Sequence, residues 1–170
     1  MIDLARQFFE YLSDCRGTAE VVQGDARIML EQEPPQSFDV LVLDAFSSDA
    51  IPVHLLTREA FSVYLRHLTE DGVLAVHISN VHVDLSPVVA GHSDCFGLAI
   101  AKVESPGDDR QETRDAIWML LSRNLRSLDT DAIGRVKLPP PDRRLVWTDQ
   151  RNRRSRRPVS TTSRGSSSAW

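Results

Sequence analysis

The chain has 170 residues, 41% hydrophobic, 26% charged and 6% aromatic, which suits one domain with a buried core. No stretch reaches the roughly 18 apolar residues that a bilayer crossing needs. The two cysteines, Cys15 and Cys95, supply neither a disulfide framework nor a zinc site, and the first thirty residues show no secretory leader, so a reduced, cytoplasmic setting is expected. The net charge of −4 divides sharply. Residues 1–134 hold 10 Lys+Arg against 22 Asp+Glu (−12), whereas residues 135–170 hold 10 against 2 (+8). Such asymmetry predicts a folded body followed by a tail of different character.

Met1–Leu12 places Ile2, Ala5, Phe8, Phe9 and Leu12 at helical spacing. Residues 20–23 read as a short strand ended by Gly24-Asp25, and Asp25 is placed to cap a helix over Ala26–Glu33 that Pro34-Pro35 stop. Residues 38–44 (FDVLVLD) are an almost continuous apolar run closed by an aspartate, as in a strand buried on both faces of a parallel sheet. Thr57–Leu68 follows as a helix with Phe61, Tyr64, Leu65 and Leu68 on one face. Glu70-Asp71-Gly72 read as a turn into a second strand, Val73–Ile78, which ends in Ser79-Asn80. A weak helix is expected around Leu85–Ala90, where Gly91-His92-Ser93-Asp94 interrupt the pattern as if constraint there were relaxed. Strands near Leu98–Val103 and over Ala116–Ser122 complete the body.

Alternating helices and strands argue for an α/β fold, a doubly wound, mostly parallel sheet. The last two strands lie too close for a helical crossover, so an antiparallel pairing at one edge is expected. Residues 1–124 form the predicted domain and residues 125–150 an extension. Residues 151–170, rich in Arg, Ser and Thr, lack the side chains to offset their ordering entropy and read as a disordered basic tail.

In such a sheet, ligands bind beyond the carboxyl ends of the strands. Three consecutive strands end in polar signals: Gly24-Asp25, Asp44 with the loop to Asp49, and Ser79-Asn80. As a lone Gly-Asp pair, Asp25 is first a helix cap. Asp44 closes a buried apolar strand, which is costly unless its carboxylate is paired or solvated, and this raises its standing as a functional group. Asp49 alone would be an ordinary solvated carboxylate. The five histidines (His54, His67, His77, His82, His92) show no metal-ligand spacing, and mid-strand His77 is expected to be a satisfied interior residue.

The runs VVQGDARIMLE (21–31), FDVLVLDAFSSDAIPVHLLT (38–57), DGVLAVHISN (71–80) and VESPGDD (103–109) resemble the spermidine synthase-like proteins, over most of residues 1–124. LVWTD (145–149) is similar to a segment near that family's carboxyl end. The resemblance implies a Rossmann-like class I methyltransferase fold that takes S-adenosylmethionine or its decarboxylated form, with no metal. It implies contact of Asp25 with adenine, flanked by Gly24 and Ala26, a place for Asp44 at the reacting centre, and Asp49 as the second acid of the substrate loop. The Asp-Ala-Phe-Ser-Ser-Asp spacing is longer than the family's Asp-Ser-Ser-Asp. The implied reaction is aminopropyl transfer to a polyamine, with Asp44 receiving the proton of an ammonium whose ordinary pKa is about 10.

The glycine-rich turn and ribose acid of this fold's first βαβ unit are not found in the sequence. The expectation is a domain lacking that unit, with an exposed apolar edge on the Phe38–Asp44 strand, weak binding of S-adenosylmethionine, and self-association or pairing with a complementing amino-terminal half. The composition after Asp149 also resembles out-of-frame reading. Two alternatives accompany this reading: an S-adenosylmethionine-dependent methyltransferase, and a binding module whose Arg-rich tail contacts nucleic acid or anionic surfaces. Nucleic-acid recognition is the less expected, because Trp170 is the tail's one aromatic.

Overall fold

The computed structural model describes residues 16–45, 52–80, 83–107 and 115–150. The helix expected over Met1–Leu12, Asp49 with its loop, His82 and the basic tail lie outside the described residues. The elements run α1 (Ala26–Gln32), β1 (Phe38–Leu43), a 3₁₀ turn (Val53–Leu56), α2 (Arg58–Arg66), β2 (Leu68–His77), α3 (Ser86–Phe96), β3 (Ala99–Ser105) and β4 (Ala116–Ser122). A second 3₁₀ turn (Leu125–Leu128), α4 (Asp131–Val136) and the two-residue β5 (Lys137–Leu138) complete the order.

These strands make one sheet in the order β1-β2-β4-β3-β5. β1 and β2 are parallel, and β4 runs antiparallel between β2 and β3. The expected antiparallel pairing of the last two strands is present, but with β4 at the centre of the sheet and β5 forming an antiparallel edge on β3. Side chains alternate between the two faces. Leu74, Val76, Met119 and Leu121 pack under α2 and α3 with Phe61, Leu65, Val88 and Val89. On the opposite face Ala101 and Val103 meet Leu128 and Ile133 from the second 3₁₀ turn and α4. The sheet is therefore covered from both sides, as a doubly wound fold requires.

Three local expectations are corrected. Residues 20–23 form no strand: they lie exposed and irregular, with no hydrogen-bonded neighbour in the sheet. An extended tetrapeptide without a pairing partner keeps its backbone groups in water.

The second correction is at β2, which begins at Leu68, so the expected turn at Glu70-Asp71-Gly72 lies inside the strand. Phe38 pairs with Leu68 and Val40 with Val73; β1 advances two residues while β2 advances five. The turn-forming residues are thus absorbed as a bulge. A Cβ on Gly72 would stand 2.9 Å from the Phe38 carbonyl oxygen, so glycine permits this close pass.

Third, Gly91-His92-Ser93-Asp94 are helical, and the first three of them are buried in the core. α3 runs through them, and Ser86–Ser93 are all buried. A Cβ on Gly91 would collide with the Leu145 carbonyl group. His92 Nε2 donates to the Leu56 carbonyl at 2.9 Å, and its ring lies 4.6 Å from that of Phe61. Close packing dictates these residues, so the break in apolar pattern is a packing requirement.

The segment lying on Gly91 belongs to a strap over residues 143–149. Leu145 N–H donates to Pro87 O at 2.9 Å, and Arg58 N–H donates to Trp147 O at 2.8 Å. Asp149 N–H donates to Glu59 Oε2 at 3.2 Å. At the sheet's other margin, β1 turns Leu41 and Leu43 to the core but Val40 and Val42 outward, 58% and 54% exposed. Among the described residues β1 stands at the end of the sheet.

Candidate functional site

Two carboxylates expected at the site sit at the turn before α1 and at the end of β1. The chain bends at Gly24, and Asp25 takes extended backbone angles (φ −73°, ψ 121°) as the N-cap of α1. Its Oδ1 accepts the backbone N–H groups of Arg27 (3.0 Å) and Ile28 (3.1 Å), and His54 Nε2 donates to its Oδ2 at 2.9 Å. The Ile28 amide above all, with His54 beside it, holds the Asp25 carboxyl below the ordinary carboxylate range. A carboxylate offers about four lone-pair sites. Three are in use here, which leaves room for one further donor. Gly24 and Ala26 flank Asp25 and are exposed.

His54 was not distinguished from the other histidines by sequence. It is held twice from α1, through its ring by Asp25 and through its carbonyl by Arg27 Nη1 at 2.8 Å. The same guanidinium donates to Thr57 Oγ1 at 3.2 Å and to both carboxylate oxygens of Asp149 at 2.9 and 2.7 Å. Asp149, with Glu31, raises the Arg27 pKa above its already high value. The 3₁₀ turn, α1 and the strap are thereby drawn together around one arginine.

Asp44 follows β1. Parallel pairing sets Leu43 beside Val76, so the next residues, Asp44 and His77, are neighbours. His77 Nδ1 donates to Asp44 Oδ1 at 2.7 Å. The Asp44 side chain is 54% exposed, so solvent and His77 together relieve the desolvation that a buried aspartate would suffer. The His77 ring stacks on Trp118 of β4 with centroids 4.7 Å apart. Its Nε2 is buried without a hydrogen-bond partner among the described residues. His77 is therefore not the satisfied interior histidine expected: one ring nitrogen serves Asp44 and the other goes unused. The signal available in sequence was that both residues stand at carboxyl ends of consecutive strands.

A crevice of about 900 Å³ has His77 in its wall, with Ser79, Asn80, Lys102, Glu104 and Asp115. The polar strand end Ser79-Asn80 thus faces the same region. Ser79 Oγ accepts the Ile117 N–H at 2.6 Å, which locks the end of β2 against the start of β4. Among the described residues no cluster of three or more His, Cys, Asp or Glu is arranged to hold a metal ion, and no helix is long and apolar enough to cross a membrane.

No family model matches the sequence. A stretch of 76 residues is 34% identical to the polyamine aminopropyltransferase of Vibrio vulnificus, covering 44% of this chain and 25% of that protein. In fold the chain is similar to spermidine synthase from Thermotoga maritima, with a TM-score of 0.56 and 16% identity over 88% of this chain and 50% of that one. It is also similar to spermidine synthase in complex with the transition state analogue AdoDATO, with a TM-score of 0.58 and 16% identity over 88% of this chain and 52% of that one. The chain spans a quarter of the length of the relative matched in sequence and about half that of the matched structures. The chain therefore shares its α/β fold with these spermidine synthases.

Proposed function

We propose that this domain supplies the acceptor-side carboxylate and the adenine-side turn of an aminopropyl-transfer site. The donor is decarboxylated S-adenosylmethionine and the acceptor a polyamine or related amine. The observation that carries this reading is the placement of Asp44: a half-exposed carboxylate at a strand's carboxyl end, held by one oxygen. A cationic amine is drawn to such a site by charge.

In the reaction, the amine attacks the methylene carbon bonded to the sulfonium. The carbon–nitrogen bond forms as the carbon–sulfur bond breaks, and methylthioadenosine leaves with the electron pair. The attacking amine must first lose a proton, and Asp44 is proposed to receive it. At the other end, the fourth lone-pair site of Asp25 fits one hydrogen bond from an adenine amino group. Asp49 is proposed as the anchor for the acceptor's far end.

The test is direct. Purified protein is incubated with decarboxylated S-adenosylmethionine and putrescine, and methylthioadenosine is followed by mass spectrometry. Release above the protein-free blank that disappears in Asp44→Asn supports the reading. Release from S-adenosylmethionine of the demethylated product instead would favour a methyltransferase.

A further inference from the structure

We propose that His77 is a positioning residue for Asp44, tethering Oδ1 so that Oδ2 is presented to the acceptor amine; this rests on the function proposed above. Three adjacent strands build the arrangement. Leu43↔Val76 pairing puts Asp44 next to His77, and His77↔Trp118 pairing puts the indole against the imidazole. The stack, at 4.7 Å and 27° between planes, restrains the ring's plane. With the ring fixed, the 2.7 Å bond from Nδ1 fixes the carboxylate.

The unused nitrogen carries the rest of the argument. A carboxylate only accepts, so Nδ1 bears the proton in this bond, and we assign the tautomer that leaves Nε2 bare. Nε2 is enclosed and meets no donor among the described residues. An unsatisfied buried ring nitrogen is unfavourable unless the other half of the ring is committed elsewhere. The commitment here is to Asp44, whose Oδ2 makes no hydrogen bond to any described residue. One oxygen is held and one is offered. An aspartate on an exposed strand end would otherwise sample several rotamers, and ordering it before the ligand arrives lowers the entropy lost on binding.

The experiment has two arms. In the first, the full chain is labelled with ¹⁵N-histidine and its ring resonances are recorded without any amine. The expected spectrum shows His77 protonated at Nδ1 and bare at Nε2, with the Nδ1 proton exchanging faster in Asp44→Ala. A ring protonated at Nε2, or a spectrum untouched by Asp44→Ala, would overturn the proposal. In the second, spermidine is titrated calorimetrically into wild type, His77→Asn and His77→Phe, with thermal unfolding run on each. Asparagine places an amide N–H close to where Nδ1–H stands and is expected to keep affinity within about threefold, whereas phenylalanine keeps the stack and loses about tenfold or more. Equal affinity in the two variants would overturn the proposal. Should no variant bind or turn over an amine, the proposed function fails, while the ring spectrum still decides the link between His77 and Asp44.

Discussion

Arg27 and Asp149, 122 positions apart in sequence, share two hydrogen bonds of 2.9 and 2.7 Å that fasten the strap to α1. The guanidinium is 13% exposed and the carboxylate 36%, so the pair is partly desolvated and only partly screened. Bidentate geometry is the strong form of such a contact. Asp149→Ala is expected to cost about 1–2 kcal/mol in urea unfolding, and a double-mutant cycle with Arg27→Met should return a coupling of about 1 kcal/mol. Additive effects would show that the strap is held by its backbone bonds alone.

Gly91 tests the strap from the other side. Because a Cβ there meets backbone atoms of Leu145 rather than a flexible side chain, Gly91→Ala must displace residues 143–149. The helix gains propensity from alanine, by about 1 kcal/mol at most, but overpacking costs about 1–3 kcal/mol. Thermal unfolding should show net destabilisation, and Gly134→Ala, where the added carbon meets open space, should not.

His92 sets a pH dependence. Burial lowers its pKa below the ordinary 6.5, since the protonated ring would have no solvent. In the unfolded chain the residue takes up a proton near pH 6.5 that the folded chain refuses. Folding stability therefore holds above that pH and is lost as pH falls from about 6.5 toward the depressed folded value. The midpoint of thermal unfolding should drop between pH 7.5 and 5.5 by more in wild type than in His92→Gln. A slope unchanged by the substitution would assign the effect elsewhere.

Asp25 behaves in the opposite range. Its lowered pKa means that its stabilising cap is present above the ordinary 3.8 and lost as pH falls below that toward the folded value. Asp25→Ala is expected to cost about 1 kcal/mol at neutral pH and progressively less below pH 4, measured by circular dichroism.

The outward face of β1 gives a prediction about association. Val40 and Val42 expose more than half their surface on an edge strand, a template for pairing with another chain. Val42→Lys should leave the unfolding midpoint within a few degrees and reduce the weight-average mass in sedimentation or light scattering. An unchanged mass would remove this face from any self-association.

The apolar runs at 38–43 and 116–122 were legible because continuous hydrophobic stretches of strand length have few other structures open to them. Asp25 and Asp44 were legible because each follows a strand-like or apolar segment at the point where an α/β sheet exposes its crevice. His77 as the partner of Asp44 depended on register, which pairs Leu43 with Val76 and is set by a bulge at Gly72 that reads locally as a turn. The clasp of Arg27 on Asp149 and the collar of Leu145 on Gly91 join distant segments through single side chains or backbone groups, and local periodicity carries no trace of either. Residues 20–23 had strand propensity without a neighbour, and pairing overrode propensity.

Asp44 is proposed as the carboxylate that receives a cationic amine. Isothermal titration of spermidine into wild type and Asp44→Asn measures this without requiring turnover. Saturable binding in the wild type, weakened at least tenfold by the substitution while the unfolding midpoint stays within a few degrees, is the predicted result. Equal affinities in the two proteins would contradict it.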